Sequence, residues 1–173
     1  ILASRSGSCA AGDTASEWEA VRASDASVLL ERCDTSEAAH VRRLVPAAPM
    51  LDGVWHAAGV IADALLPSQT SMSLAVVYAP KAHGAWSLHQ ASALLRPRTL
   101  ALFSSVAALL GGAAQANYAA ANACLDALSS RRRTRSLAAV SVQWGAWAEV
   151  GMAARGAASA RAAAMAAASG LGR

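Results

Sequence analysis

Five short apolar runs, separated by stretches long enough for helices, constrain the fold of this chain more than any other feature. They fall at residues 1–3, 27–31 (Ser-Val-Leu-Leu-Glu), 53–56, 99–104 (Thr-Leu-Ala-Leu-Phe-Ser) and 139–144 (Ala-Val-Ser-Val-Gln-Trp). Apolar runs of this length read as strands buried on both faces. Between them the pattern predicts helices over 14–23, 36–45, 68–78, 81–95 and 117–133, the first opened by Asp13 or Thr14 with Glu17 close behind. Strands alternating with helices predict an α/β fold with a parallel sheet.

In such sheets ligands bind beyond the carboxyl ends of the strands. Small and polar residues follow each run here: Ser4-Arg5-Ser6-Gly7, Cys33-Asp34, His56-Ala57-Ala58-Gly59, Ser104-Ser105 and Trp144-Gly145. Five such ends in succession mark one candidate ligand-binding edge.

The length of 173 residues fits one domain. With 55% hydrophobic residues the chain can bury a core, which excludes disorder throughout. Aromatic residues make up only 5%, so close-packed alanine-rich helices are expected rather than a β-sandwich. Cys9, Cys33 and Cys124 are too scattered for a disulfide framework or a zinc site, so no metal is expected, and a reducing, cytoplasmic compartment is. No basic segment precedes an apolar one in the manner of a signal peptide. The apolar stretch 100–128 contains Ser104, Ser105, Gln115, Asn117, Asn122 and Asp126, which a membrane span would bury in lipid. A strand, a loop and a helix fit it better. The net charge is +4, with arginines clustered at Arg42 and Arg43 and at Arg131, Arg132, Arg133 and Arg135. No aromatics interleave with them as on a nucleic-acid surface, so cations at helix C-termini are the preferred reading.

Tyr118 and Asn122 lie four apart on one predicted helix, hence on one face. Ser105 closes a predicted strand, and Lys81 follows Pro80 near the start of an earlier helix. Each alone has an ordinary structural use. Together they suit carbonyl reduction. A free phenol has a pKa near 10 and is a poor acid at neutral pH, but a nearby ammonium favours the phenolate. The tyrosine can then pass its proton to a carbonyl oxygen as hydride reaches carbon. A serine hydroxyl donating to the same oxygen stabilises the developing charge. An asparagine can orient the lysine or a water that resupplies protons, and the hydride has to come from a cofactor.

Four segments carry a family resemblance. They are His56-Ala57-Ala58-Gly59-Val60; residues 80–85 (Pro-Lys-Ala-His-Gly-Ala) running to Leu88-His89; 102–107 (Leu-Phe-Ser-Ser-Val-Ala); and 115–123 (Gln-Ala-Asn-Tyr-Ala-Ala-Ala-Asn-Ala) with 125–128 (Leu-Asp-Ala-Leu). Trp144-Gly145-Ala146-Trp147 and Gly151-Met152 continue the match. In this order and spacing they resemble the ketoreductase domains of polyketide synthases, members of the short-chain dehydrogenase/reductase superfamily, over about residues 1–155. Most of that superfamily has Tyr-x-x-x-Lys. Here Asn122 stands four residues after Tyr118 and the lysine is Lys81, the exchange that this branch shows.

The resemblance implies a Rossmann-like doubly wound parallel sheet with flanking helices. It lacks the first strand with its glycine-rich loop, and the last strand. A sheet without that strand has a gap or an open edge. Residues 1–173 then form a partial ketoreductase domain, with 152–173 an alanine-rich lid or tail and a helix expected over 159–168. By the same resemblance Tyr118 is the proton donor, Ser105 binds the ketone oxygen, and Lys81 and Asn122 complete the tetrad. NADPH is the implied cofactor. Arg5 would meet its 2′-phosphate, which suits a guanidinium, and Asp34 its adenine. His56, Ala57, Ala58 and Gly59 form a small-residue turn beside it, and Lys81 and Tyr118 also approach it.

In Ile61-Ala62-Asp63, Asp63 matches a Leu-x-Asp-like motif of one stereochemical class. Leu110 stands eight before Tyr118, where the opposite class has tryptophan. Both imply the B type, which forms the D-configured 3-hydroxyacyl chain. The alternative use of Asp63 is to cap a helix. The implied activity is β-ketoacyl reduction on an acyl carrier protein thioester, among neighbouring megasynthase domains and without nucleic acid or membrane. A catalytically silent domain is the alternative that the filled tetrad argues against. A free-standing reductase of small carbonyls is the one that the asparagine exchange argues against.

Overall fold

The structure is a computed structural model and describes residues 1–8, 15–48 and 50–145. The elements run β1 (Leu2–Ser4), α1 (Ala15–Ala23), β2 (Leu30–Arg32), α2 (Ala38–Leu44), β3 (Gly53–His56), α3 (Ser71–Tyr78), α4 (Gly84–Ser92), β4 (Thr99–Ser105), α5 (Ala107–Leu110), α6 (Ala116–Arg133) and β5 (Val140–Trp144). Every strand pair is parallel: β1 with β2, β3 with β4, and β4 with β5. The fold is α/β and Rossmann-like, with helices connecting parallel strands. No helix among the described residues is long and apolar enough to cross a membrane.

The strands form two sheets, β1–β2 and β3–β4–β5, with the gap expected of a sheet that lacks its first strand between them. One expectation needs correction, because the apolar runs are not all buried: Leu2 and Leu30 are 47% and 36% exposed, and Trp55 on β3 is 66% exposed. The reason lies in strand order. A doubly wound sheet runs 3-2-1-4-5-6, with its first strand in the middle. If the present strands count from the second, β1 and β3 are the two neighbours of that middle place. The described residues supply no strand there, so those side chains meet water.

Burial concentrates instead on β4. Leu100 and Leu102 share one face of that strand and pack with Ala85 of α4 and Leu125 and Leu128 of α6. A second cluster joins Cys33, Val41, Val45 and Leu88, and Val54 packs against both. Each fully buried leucine contributes roughly 2 kcal/mol. This burial fixes α6 against β4, the two elements that carry most of the site.

The helices expected over 68–78 and 81–95 are one rod. A π-helical turn, Ala79–His83, joins α3 to α4. Pro80 has no N–H and its ring crowds the carbonyl of the preceding turn, and the wider π turn absorbs that misfit. Proline acts similarly in α2, which ends in a 3-10 turn at Val45–Ala47 around Pro46. The four-residue α5 was not expected, being too short to show a period. The caps at Asp13 and Thr14, Cys9 and the helix over 159–168 lie outside the described residues.

Candidate active site

The π turn carries Lys81 into the interior. The side chain is 2% exposed, and Nζ donates to the Phe103 carbonyl of β4 at 2.9 Å. The same nitrogen lies 5.5 Å from the centre of the Tyr118 ring. Burial pulls the Lys81 ammonium down to about 8, against the opposing pull of the Asp126 carboxylate. It is therefore mostly charged at pH 7 and loses its proton as pH rises through 8. Lys81 is also the chain's one lysine, the rest of its fifteen Lys and Arg residues being arginine. That compositional signal marks the site independently of any spacing.

On α6, Asn122 is fully buried. Its Nδ2 donates to the Tyr118 carbonyl at 2.8 Å, and its Oδ1 is buried with no hydrogen-bond partner among the described residues. Ser104 Oγ donates to the Asn122 carbonyl at 3.3 Å and ties β4 to this helix. Ser105, half-buried, closes β4. Its Oγ accepts the Ala107 N–H at 3.2 Å, which leaves the hydroxyl hydrogen to donate elsewhere. Tyr118 is half-buried, and α6 packs on both β4 and α5.

His56 ends β3 with its ring turned inward. It is 3% exposed, and its Nε2 lies 3.3 Å from the Lys81 carbonyl, to which a neutral ring donates. Burial pushes this imidazole down to about 4, and the Lys81 charge adds to that, so it is neutral at pH 7. Its side chain thus supports the lysine turn, and the small residues Ala57, Ala58 and Gly59 follow directly after β3. Gly84, just after the π turn, sits against the same ring. A Cβ there would lie 2.7 Å from Thr35 Oγ1 and 3.2 Å from His56 Cε1, so glycine is what lets α4 start so close.

Sequence reasoning missed Asn117. It is 1% exposed, and its Nδ2 donates to the carbonyls of Ala62 at 2.7 Å and Ser73 at 3.4 Å. Its Oδ1 accepts the Tyr118 N–H at 2.8 Å. One side chain thus fastens the start of α6 to α3 and to the segment holding Asp63. A second tie, the Ala64 N–H to the Ala114 carbonyl at 2.9 Å, fixes the same segment. The available signal was an asparagine at a helix start, where its oxygen can take a backbone N–H. Asp63 itself is half-buried and does not begin α3. That role belongs to Thr70, which exchanges hydrogen bonds with Ser73 in a capping box. Leu110 ends α5 and is 83% exposed.

The two-stranded sheet holds a separate pair. Arg5 is exposed just after β1, and Asp34 follows β2. The Cys33 N–H donates to the Ser4 carbonyl at 2.9 Å, which ties these strand ends together. Asp34 accepts Ser36 Oγ at 2.6 Å and Ser36 N–H at 3.0 Å. The Ser36 hydroxyl bond holds its carboxyl below the usual value, and the Arg5 charge adds to that. Arg5 and Asp34 are thus neighbours, while Lys81, Tyr118 and Asn122 gather on the other sheet.

At the far end of α6, Arg132 is 1% exposed. It donates through Nε to the Ala138 carbonyl at 3.1 Å and through Nη1 to His89 Nδ1 at 2.7 Å. Arg133 donates to Ser129 Oγ at 2.6 Å. Two members of the basic cluster therefore serve the helix end.

A family model described as KR domain matches residues 1–149. Polyketide synthase GfsA of Streptomyces halstedii is 46% identical over 153 residues, which is 87% of this chain and 2% of that protein. The ketoreductase from the first module of phoslactomycin biosynthesis in Streptomyces sp. HK803 superposes with a TM-score of 0.78 at 39% identity, covering 87% of this chain and 36% of that one. A structure described as an A-type ketoreductase from a modular polyketide synthase gives a TM-score of 0.83 at 37% identity, covering 92% of this chain and 34% of that one. The chain thus spans a small part of the curated relative and about a third of each solved ketoreductase.

Proposed function

The chain belongs to the KR-domain family, the ketoreductases of polyketide synthases within the short-chain dehydrogenase/reductase superfamily, and on that premise we propose that it reduces the β-keto group of a thioester borne by an acyl carrier protein, with bound NADPH supplying the hydride. The observation that carries this reading is the buried Lys81 ammonium 5.5 Å from the Tyr118 ring centre. In this reading Tyr118 gives its phenolic proton to the ketone oxygen. Ser105 donates a second hydrogen bond to that oxygen, so two donors meet the charge that develops there. The Lys81 ammonium, anchored on the Phe103 carbonyl, stabilises the negative charge left on the phenol oxygen. Asn122 Oδ1, buried and unpartnered among the described residues, is suited to accept from a water that returns the proton. Neighbouring megasynthase domains, a cytoplasmic setting and a lid or tail role for 152–173 belong to the same reading.

Arg5 and Asp34 fit the adenosine end of the cofactor. An exposed guanidinium at a strand end suits a phosphate, and the backbone after His56 is lined by small residues that permit close approach. Arg5→Ala is expected to weaken NADPH binding by about 10- to 100-fold, the loss of a charge-assisted bidentate contact, and to leave NADH binding nearly unchanged. Titrating both cofactors into the reductase decides this. Equal weakening of the two would show that Arg5 does not read the 2′-phosphate.

The direct test of the function is turnover of a short β-ketoacyl thioester by the domain within its synthase. NADPH consumption with a predominantly D-configured 3-hydroxyacyl product is expected, from Asp63 and Leu110. A predominantly L product, resolved by chiral chromatography, would defeat the B-type assignment. No NADPH consumption at all would favour a silent domain.

A further inference from the structure

We propose that Asp126 is a positioning residue for this reaction, the fixed countercharge to the Lys81 ammonium. The inference rests on the catalytic reading of Lys81 under the proposed function. Tyr118, Asn122 and Asp126 succeed one another at intervals of four and form one stripe along α6. The Asp126 carboxylate accepts Ser141 Oγ at 2.5 Å and Gln143 Nε2 at 2.9 Å. Ser141 and Gln143 are alternate residues of β5 and share a face. They bracket Val142, which is in register with Phe103 on β4. Phe103 is the residue whose carbonyl holds Lys81 Nζ. One rung of the sheet thus sets both the acceptor of the lysine and the clamp on the carboxylate.

The clamp uses two neutral donors, so it fixes the carboxylate without neutralising it. The ion pairs among the described residues, Arg22 with Glu19 and Arg98 with Asp52, do not involve Asp126. Nor does Asp126 form a direct ion pair with Lys81. That separation has a use. A contact pair would occupy the Nζ hydrogens and draw the ammonium away from the tyrosine, whereas an offset carboxylate supplies charge without competing for them. A buried ammonium needs such help, because one carbonyl acceptor does not replace its hydration.

The other titratable groups on the elements around the π turn do not offer it. Tyr78 and His83 lie on the same helical rod, and His89 is engaged with Arg132. His56 on β3 is neutral, Tyr118 and Cys124 on α6 are not carboxylates, and β4 (Thr99–Ser105) carries no ionisable side chain. The carboxylate acts on the lysine against the effect of burial.

The test uses the ketoreductase within its synthase. Asp126→Asn removes the charge and keeps the size. Asp126→Thr is a second neutral variant, should the first not fold. Lys81 is tracked by NMR of protein carrying [13Cε]lysine, its signal assigned by its loss in Lys81→Arg. In either neutral variant the Lys81 midpoint is expected to move to lower pH by about half a unit or more, with the alkaline limb of kcat moving with it. Asp126→Glu is expected to restore both. An unmoved Lys81 midpoint in a folded neutral variant overturns the proposal. A midpoint that falls while the limb of kcat stays put would support the countercharge and count against a part for Lys81 in the reaction itself.

Discussion

Tyr118→Phe is expected to lower ketoreduction by about 10²- to 10⁴-fold, the usual cost of removing one positioned acid, with little change in fold or cofactor affinity. The substitution is clean because the local bonds to this residue run through its backbone. Asn122 Nδ2 bonds the Tyr118 carbonyl, and Asn117 Oδ1 bonds its N–H. Phenylalanine keeps both, along with the ring beside Lys81. Only the phenolic hydroxyl is lost. Steady-state rates on a short β-ketoacyl thioester, paired with a fluorescence titration of the cofactor, separate chemistry from binding. A rate close to wild type would remove Tyr118 from proton transfer.

The expected behaviour of this residue also shows what the sequence could convey. The interval of four that joins Tyr118 to Asn122 is a property of one helix, so it was legible before any fold was known. Ser105 was legible as the end of an apolar run. Lys81 was legible as a residue type, but not in the way it enters the site. A proline at 80 predicts a break between two helices. The chain answers with a π turn that keeps the rod continuous and turns the lysine inward. Asp126 stands at the same interval beyond Asn122, but its partners on β5, and those of Asn117 on α3 and in the segment around Ala62, could not be found by spacing. Contacts of that kind arise from tertiary packing and leave no period in the sequence. The strands β1 and β3 are more exposed than their apolar runs imply for a related reason. An apolar run states that a strand wants neighbours on both sides, and it does not supply them.

Lys81→Met is expected to cost about 10²-fold or more in kcat while leaving thermal stability close to unchanged. Two opposing effects decide the stability. Removing the ammonium leaves the half-buried Phe103 carbonyl without this donor at 2.9 Å, a loss of roughly 1–3 kcal/mol. It also removes a charge held at 2% exposure, and replacing a buried charge by an apolar side chain of similar volume often recovers as much. Methionine is unbranched and flexible enough to fill the lysine's channel. Activity has no such offset, because the positive charge beside the Tyr118 ring is gone and nothing else described there replaces it.

The pH dependence separates this role from a structural one. Burial holds the Lys81 midpoint down at about 8. The ammonium is therefore present below that value and lost above it, and wild-type activity should fall as pH rises through about 8. The residual activity of Lys81→Met should show no such fall. Melting curves and rate profiles from pH 6 to roughly 9.5, spanning the Lys81 transition on both sides, are sufficient. An alkaline limb that persists in Lys81→Met would assign it to another group and take from Lys81 the task given it here.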